Sequence, residues 1–388
     1  MWGKKILVIV TITLTTTLIG CIEPYNPPEV AQAEALLVVD GYVDLGTESV
    51  TISLTRTKNL SESNIPVYET NAQVSLELEG GSIIVLPEVE AGIYSAENIS
   101  LNVNDKCKLH IRANGKEYES ELVSVIQTPE IDSVTYVQDA SGVQIDVTTH
   151  DPNNNTWFYQ WQYVETARYH SKFASIYYWR GPDDIASRNR DNDIYTCWKT
   201  LPSTNILIAT SSSLSSDFIY KFPVVFLPAT SWKLEYRYSI LVRQFAIDEK
   251  TYNYWQQIKK NTETIGSLFD PQPSQVNGNI RCVNDPSESV LGYFSVRAVT
   301  EKRLYIDRSD LPDYKSFDNG YEGCLFTEID TLLLVDLDLS QPVRHLLISA
   351  VTPPMGTEVI GYTTQNPTCI DCRLIRAGTT QPPEWWEE

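Results

Sequence analysis

Residues 35–43, Ala-Leu-Leu-Val-Val-Asp-Gly-Tyr-Val, and residues 50–55, Val-Thr-Ile-Ser-Leu-Thr, decide the fold class of this chain. The first stretch is an almost continuous apolar run, which is typical of a strand with a buried face. The second alternates apolar and polar residues, so its apolar side chains share one face of a strand. The two stretches predict a mainly β protein.

Two hairpin signals continue this pattern toward residue 126. An alternating run at residues 74–79 is followed by a Gly-Gly pair and a second apolar run, and Asn-Gly at residues 114–115 separates two more strand-like runs. Short connections of these types are typical of tight β-hairpins. About seven short strands in roughly ninety residues predict an immunoglobulin-like sandwich over residues 35–126.

Residues 130–376 are predicted to form a second, larger β-rich domain. Four aromatic residues fall on one face of a predicted strand there, and we interpret this face as core, with a solvated platform for stacking sugars or bases as the alternative. At Asp248, a suitable N-cap, the apolar period changes from two to 3.6, which predicts an amphipathic helix near residues 248–265. The four aromatic residues are Trp157, Tyr159, Trp161 and Tyr163.

A long polar insertion over residues 168–200 carries several charged side chains. It exceeds the usual length of a connection between strands and is a candidate binding loop, with a solvated surface flap as the alternative. The charged residues that would contact a partner there are Asp183, Asp184, Arg188 and Arg190.

The first twenty residues predict export. Two lysines precede an apolar and threonine-rich run over residues 6–19, which is too short to span a bilayer and is typical of a secretory signal peptide. The run ends in Leu-Ile-Gly-Cys, which resembles the bacterial lipobox, so we interpret residues 1–20 as the signal peptide and Cys21 as the acylated residue. Residues 21–34 would then form a Pro-rich tether between the lipid and the first domain.

The composition and the motifs argue against several classes of function. The 388 residues carry a formal net charge of −20, which repels the phosphates of nucleic acids. The four His residues are scattered, and we find no glycine-rich nucleotide loop, nucleophile elbow or paired-histidine zinc motif. We therefore predict no catalytic residue, no metal site, no cofactor and no nucleic-acid partner.

Six cysteines remain when Cys21 is set aside. In an oxidising compartment they are expected to pair, and six cysteines allow fifteen connectivities. If Cys107, which stands alone in the first domain, is an unpaired thiol, one of the later cysteines is unpaired too. The close pair of Cys369 and Cys372 leaves a redox or metal role open as the alternative. The candidates for disulfides that staple the second domain are Cys197, Cys282, Cys324, Cys369 and Cys372.

The C-terminal tail and two short motifs are candidate contact and modification sites. Trp385 and Trp386 lie in the tail over residues 377–388. Rings of this size favour burial, either on the second domain of the same chain or on a partner. Ser133 and Thr331 each stand between an Asp and an apolar residue, a pattern that resembles the O-glycosylation motif of Bacteroidota.

Several of these features occur together in one known family. The lipobox, the LVVDGYV strand, the FDPQPSQVNGNI block at residues 269–280, the LGYFSV strand at residues 291–296 and the late cysteine pair resemble the Bacteroidota outer-membrane lipoproteins named domain of unknown function 4249. The resemblance covers nearly all of the chain after the signal peptide, although the tail at residues 382–388 is longer here. Glu23 resembles the family's signal for export to the cell surface, with the periplasmic face as the alternative.

The resemblance implies a function through partners. Such lipoproteins are typically encoded beside TonB-dependent receptors and have no established catalytic residues. We therefore expect a non-catalytic accessory subunit that docks on an outer-membrane β-barrel of this type, with other surface lipoproteins as further partners, and helps to capture or admit a ligand. A structural subunit of a larger assembly or export machine is the alternative, and an extracellular hydrolase is the third hypothesis.

Overall fold

A computed structural model of the chain describes residues 35–58, 65–99, 101–102, 105–181, 184–263, 276, 278–312, 320–334 and 346–387. Within these ranges the protein is mainly β, as predicted. The predicted signal peptide, Cys21 and the tether lie outside the described residues, as does Asp183. No helix in the described ranges has the length and apolar character needed to cross a membrane.

The first part of the chain contains ten strands. They are β1 (Leu37–Asp44), β2 (Ser49–Arg56), β3 (Val67–Tyr68), β4 (Gln73–Leu78), β5 (Ile83–Leu86), β6 (Glu88–Glu90), β7 (Ile93–Ala96), β8 (Lys106–Ala113), β9 (Lys116–Ser120) and β10 (Val123–Ile126).

The rest of the chain contributes fifteen further strands and three helices to the described residues. The strands are β11 (Ile131–Gln138), β12 (Gly142–Thr149), β13 (Phe158–His170), β14 (Tyr177–Gly181), β15 (Asp184–Ser187), β16 (Thr196–Pro202), β17 (Leu207–Thr210), β18 (Ile219–Pro228), β19 (Arg237–Ala246), β20 (Ile280–Cys282), β21 (Leu291–Arg297), β22 (Val299–Asp307), β23 (Asp330–Leu333), β24 (Leu346–Val351) and β25 (Gly361–Gln365). The helices are α1 (Glu249–Glu263), α2 (Pro367–Ile370) and α3 (Cys372–Arg376).

One apolar core joins the strands of the first part. In β2, Val50, Ile52 and Leu54 are fully buried, as the alternating pattern predicts. The strands β6, β7, β2 and β1 pair in that order on one side of the core, and β5, β4, β8 and β9 pair on the other. β10 pairs with β8 and also with β21, so it links the two sheets. The immunoglobulin-like strand order stays a prediction.

Two strands that the sequence analysis assigned to the second domain complete this first sandwich. β20 pairs with β9, and β21 runs parallel to β1 with Gly292 opposite Val39. Phe294 of β21 is buried in the same core. The predicted division into residues 35–126 and 130–376 is therefore wrong for residues 280–297, because pairing between distant strands leaves no mark on a local sequence pattern.

Glycines allow β21 to approach its neighbours closely. A Cβ on Gly292 would lie 1.9 Å from the carbonyl oxygen of Val39, and one on Gly278 would lie 1.6 Å from that of Gly292. The side chain of Asn279 extends the pairing, since its Nδ2 donates to the Phe294 oxygen at 2.7 Å and its Oδ1 accepts from the Phe294 nitrogen at 2.8 Å. The LVVDGYV and LGYFSV stretches therefore meet in the first sandwich.

Two sheets enclose the second core. β11, β12 and β18 form one sheet, and β16, β13, β19 and β22 form the other, with β17 beside β13. Tyr159, Trp161 and Tyr163 are buried between the sheets, which confirms these three rings as core. Trp157, the fourth member of the predicted row, precedes β13 and is only half-buried. Trp161 stacks on Phe222 with ring centroids 4.5 Å apart, and its Nε1 donates to Gln244 Oε1 at 2.9 Å. A third sheet contains β15, β14, β24, β25 and β23.

Helix α1 packs on both sandwiches. Its N-cap is Asp248, as predicted, because the Thr251 nitrogen donates to Asp248 Oδ1 at 2.7 Å. Tyr252 contacts Phe158 beside the second core, with ring centroids 5.3 Å apart. On the other side Tyr254 contacts Tyr293 of β21 at 5.4 Å. The amphipathic helix is confirmed, but it does not dock on the second sandwich alone.

Arg297 lies at the same junction. Its guanidinium carbon lies 4.2 Å from the ring centroid of Tyr42 in the first sandwich and 4.4 Å from that of Phe245 in the second. Its Nη1 donates to Gln160 Oε1 at 2.8 Å. Burial lowers the pKa of Arg297 to about 10. A buried cation held by rings and an amide from both parts stabilises their contact.

Candidate functional site

Four of the five predicted disulfide cysteines pair. Cys197 bonds to Cys372 and Cys324 to Cys369, with sulfur–sulfur distances of 2.02 and 2.01 Å. The prediction for Cys282 is wrong, because this residue lies on β20 in the first core and is a buried free thiol. Cys107 is likewise free and buried, and burial raises its pKa to about 12. The bonded cysteines tie α2 and α3 to earlier parts of the second region.

Thiol labelling tests this pairing. The unreduced chain, unfolded in guanidinium, should bind alkylating reagent at Cys107 and Cys282 and at none of the four bonded cysteines. The folded chain should label slowly at both sites, because neither sulfur is exposed and a thiol with a raised pKa is a weak nucleophile. Peptide mapping by mass spectrometry identifies the modified positions. Labelling of Cys197 or Cys369 without reductant would contradict the structure.

Three of the four charged candidates of the long insertion, Asp184, Arg188 and Arg190, lie in the described residues. Asp184 pairs with Arg180 at 2.6 Å on the surface. Arg188 is turned inward, where its Nε donates to Ser175 Oγ at 3.0 Å and its Nη1 donates to the Asn192 oxygen at 2.9 Å. Arg190 begins a short 3-10 helix. The insertion forms the β14–β15 hairpin and stabilises its own turns, so the structure favours a folded flap.

The C-terminal tail packs on the second sandwich of its own chain. Thr379 exchanges two backbone hydrogen bonds with Trp198. Trp386 is 9% exposed and contacts the rings of Trp198 and Tyr305. Trp385 is 38% exposed, with the guanidinium carbon of Arg303 only 3.5 Å from its ring centroid. Of the two predicted locations for these rings, the structure therefore supports the protein's own second region.

A different set of aromatic residues is exposed to solvent. On the outer surface of the β11–β12–β18 sheet, large apolar side chains lie among polar side chains. We call this surface the aromatic face. Tyr220 is 67% exposed, and its ring lies parallel to that of Phe218 with centroids 6.1 Å apart. The apolar members of the aromatic face are Val137, Phe218, Tyr220 and Phe226.

Irregular backbone presents these rings. The pairing of β12 with β18 shifts register twice, between Ile145 and Asp146 and between Val147 and Thr149. Lys221, directly after Tyr220, has a φ of 49°, a left-handed conformation that costs a non-glycine residue free energy. Such bulges redirect side chains and occur often beside binding sites. The sequence pattern missed this face because alternation assumes a regular strand.

Hydrogen-bonding groups lie among the exposed rings. Asp146 stands opposite Thr135 on one side and Pro223 on the other. It is 8% exposed, and burial raises the pKa of its carboxyl group. At the end of the face, Asp132 Oδ2 lies 2.8 Å from Nδ1 of His150. The face therefore combines flat apolar rings with carboxylate acceptors.

A second surface lies where the described chain begins, and we call it the tether-end surface. A polar cleft of about 740 Å³ opens there and is lined in part by Ala35, Val67 and Tyr68. Large apolar side chains are exposed on or next to β3, β5 and β6 of the same sandwich, and two of them line the cleft. The exposed side chains are Ile65, Val67, Tyr68, Ile83, Val85 and Val89.

The charges of the cleft neutralise one another. Arg56 Nε lies 2.5 Å from Glu69 Oε2, and Lys116 pairs with Glu288. Burial alone would raise the pKa of Glu288, but hydrogen bonds from Lys116 and Tyr118 outweigh it and hold that pKa low. Tyr118 donates to Glu288 Oε1 at 2.8 Å. This cluster joins the segment before β21 to the first sandwich and offers no acid or nucleophile poised for chemistry.

Ser133 and Thr331, the predicted O-glycosylation residues, lie on different sheets. Ser133 is half-buried on β11, and Thr331 is exposed on β23. Modification of either residue stays a prediction. Within the described ranges, no group of three or more His, Cys, Asp or Glu side chains is placed to hold a metal ion.

Comparison with known proteins finds one family. The model of the family described as Domain of unknown function (DUF4249) matches residues 22–303, which is more than half of the chain. No curated protein matches the sequence.

Proposed function

The chain belongs to the DUF4249 family, and we propose that it is a non-catalytic lipoprotein on the surface of the outer membrane. It docks on a β-barrel of the TonB-dependent-receptor type and helps that barrel to capture or admit a ligand. Acylation of Cys21 supplies the membrane anchor in this proposal, and other surface lipoproteins are further partners.

The observation that carries the proposal is the tether-end surface. Residues 21–34 would reach at most about 50 Å when fully extended, so an anchor at Cys21 holds Ala35 near the membrane and near any barrel in it. Six large apolar side chains are exposed on the first sandwich, and Val67 and Tyr68 line the cleft beside Ala35. Exposed apolar patches of this kind are typical of protein contacts.

Detergent co-purification tests the docking. We expect a barrel receptor to co-purify with the tagged full-length chain. With the double variant Ile65→Asp and Val89→Asp, the amount of co-purified barrel should fall at least about tenfold, because a charge in an apolar contact costs more than about 1.4 kcal/mol. Both side chains are exposed, so the fold should persist, which circular dichroism checks. Leu214→Asp, an equally exposed position in the second region, is the matched control.

The identity of the co-purified proteins decides between the hypotheses. A single receptor barrel supports the proposal. A multi-subunit complex around an assembly barrel would favour the structural-subunit alternative. A barrel that is retained equally by the wild type and the double variant would show that another surface makes the contact.

A further inference from the structure

The aromatic face lies on the second sandwich, away from the tether-end surface. We propose that it binds a neutral glycan, with Tyr220 and Phe218 packing on the C–H faces of pyranose rings and carboxylates of β11 and β12 accepting hydrogen bonds from sugar hydroxyls. A neutral glycan would be the ligand that the protein captures for its barrel, and this capture role rests on the proposed function. Binding itself is a property of the isolated chain.

The two rings stack on each other, and both remain open to a ligand. Tyr220 and Phe218 are 67% and 46% exposed, and their planes differ by only 16°. The side chain of a Tyr or Phe has few rotatable bonds, so it loses little conformational entropy when a ligand covers it. The left-handed backbone at Lys221 fixes the direction of the strand at this point.

The polar groups favour a glycan over a protein partner. The core of a protein interface is depleted of charged side chains, whereas this face carries the carboxylate of Asp146, with Gln144 and the charge of Lys221 beside it. A sugar brings many hydroxyl donors to the same place. Asp132 adds a second acceptor at the end of the face, beside His150.

The charge of the face distinguishes neutral from negatively charged ligands, both of which can stack on aromatic rings. Single-stranded nucleic acids also stack on aromatic side chains, but they need a positively charged groove. On this face Asp146 and Asp132 stand against Lys221 and His150, so there is no positively charged groove, and the whole chain carries a net charge of −20. Acidic polysaccharides and nucleic acids are therefore repelled, and a neutral glycan is not.

Affinity electrophoresis of the full-length chain in detergent tests the proposal. The gels contain one of four neutral soluble polysaccharides: an α-glucan, a β-glucan, a galactomannan or a xylan. We expect at least one of them to retard the protein. Tyr220→Ala should weaken that binding about tenfold, which is the upper range for one ring contact, and Asp146→Asn should weaken it by removing the carboxylate acceptor.

Matched controls separate a lost contact from a lost fold. Phe326→Ala removes a ring that is 72% exposed and belongs to neither proposed surface, and it should leave the retardation unchanged. Asp146→Asn conserves the shape of the side chain, and the melting curve of this variant reports stability independently of binding.

Mobility that is unchanged in all four gels, or retardation that Tyr220→Ala does not weaken, would overturn the glycan site. If Tyr220→Ala instead releases the co-purified barrel and no gel retards the chain, the face is a protein contact. The tether-end variants should lose barrel docking and keep glycan binding. The two proposals can therefore be contradicted independently of each other.

Discussion

Replacing Gly292 by Ala should strongly destabilise the first sandwich. A Cβ at this position would lie 1.9 Å from the Val39 oxygen, which is backbone and cannot rotate away. The φ of Gly292 is 133°, a region that strains any other residue by about 1–3 kcal/mol. Overpacking adds about 1–3 kcal/mol. The total of roughly 2–6 kcal/mol is a large part of the 5–15 kcal/mol that is typical of a folded protein.

Gly80→Ala is the matched control for this variant. Gly80 has a similar φ of 123°, but no atom lies within 4 Å of the position of its Cβ. It therefore carries the backbone strain without the collision, and the difference between the two variants isolates the close packing of β21 on β1. Urea unfolding followed by tryptophan fluorescence and circular dichroism gives both free energies. Equal losses for Gly292→Ala and Gly80→Ala would contradict the observed packing.

The free thiols report where the Gly292→Ala variant opens. Cys107 and Cys282 are buried in the first core, and the four bonded cysteines lie in the second region. Without denaturant, the variant should label at both free thiols faster than the wild type does. Faster labelling would place the damage in the first sandwich, because the second region contains no free cysteine among the described residues.

The local spacing of apolar residues was sufficient to predict several strands and the helix α1. The alternation at residues 50–55 and 74–79 corresponds to β2 and β4, and the change of period at Asp248 corresponds to α1. In each case the period of the side chains depends on the backbone geometry of that element alone. The buried row from Tyr159 to Tyr163 followed from the same rule.

Long-range pairing could not be read from the same patterns. Nothing in residues 291–297 shows that this strand pairs with β1 rather than with its sequence neighbours. The fifteen connectivities of six cysteines all assume three disulfides, whereas the structure has two and leaves Cys107 and Cys282 free. Cys282 was misassigned because its chain position does not reveal which core contains it. The aromatic face escaped notice because two register shifts and the left-handed Lys221 break the alternation of β18.

Replacing Cys21 by Ser should remove the protein from the outer membrane, and this is the largest functional effect that we expect. Each buried methylene of an acyl chain contributes about 0.8 kcal/mol of membrane affinity, one chain gives only reversible binding, and two or more anchor the protein stably. A serine has no thiol to acylate, so the variant keeps the signal peptide or appears as soluble protein.

Metabolic labelling with an alkyne analogue of palmitate, followed by a carbonate wash of the membranes, measures both steps. The wild type should incorporate the label and stay with the outer membrane, whereas Cys21→Ser should do neither. Cys107→Ala removes a buried thiol of the first core and is the control, because it should remain labelled and bound. If Cys21→Ser stays in the washed outer membrane, an anchor other than the lipid holds the chain. The tether-end surface would then have to retain the protein at the membrane without a lipid. In that case, adding Ile65→Asp and Val89→Asp to the Cys21→Ser variant should release the protein from the outer membrane.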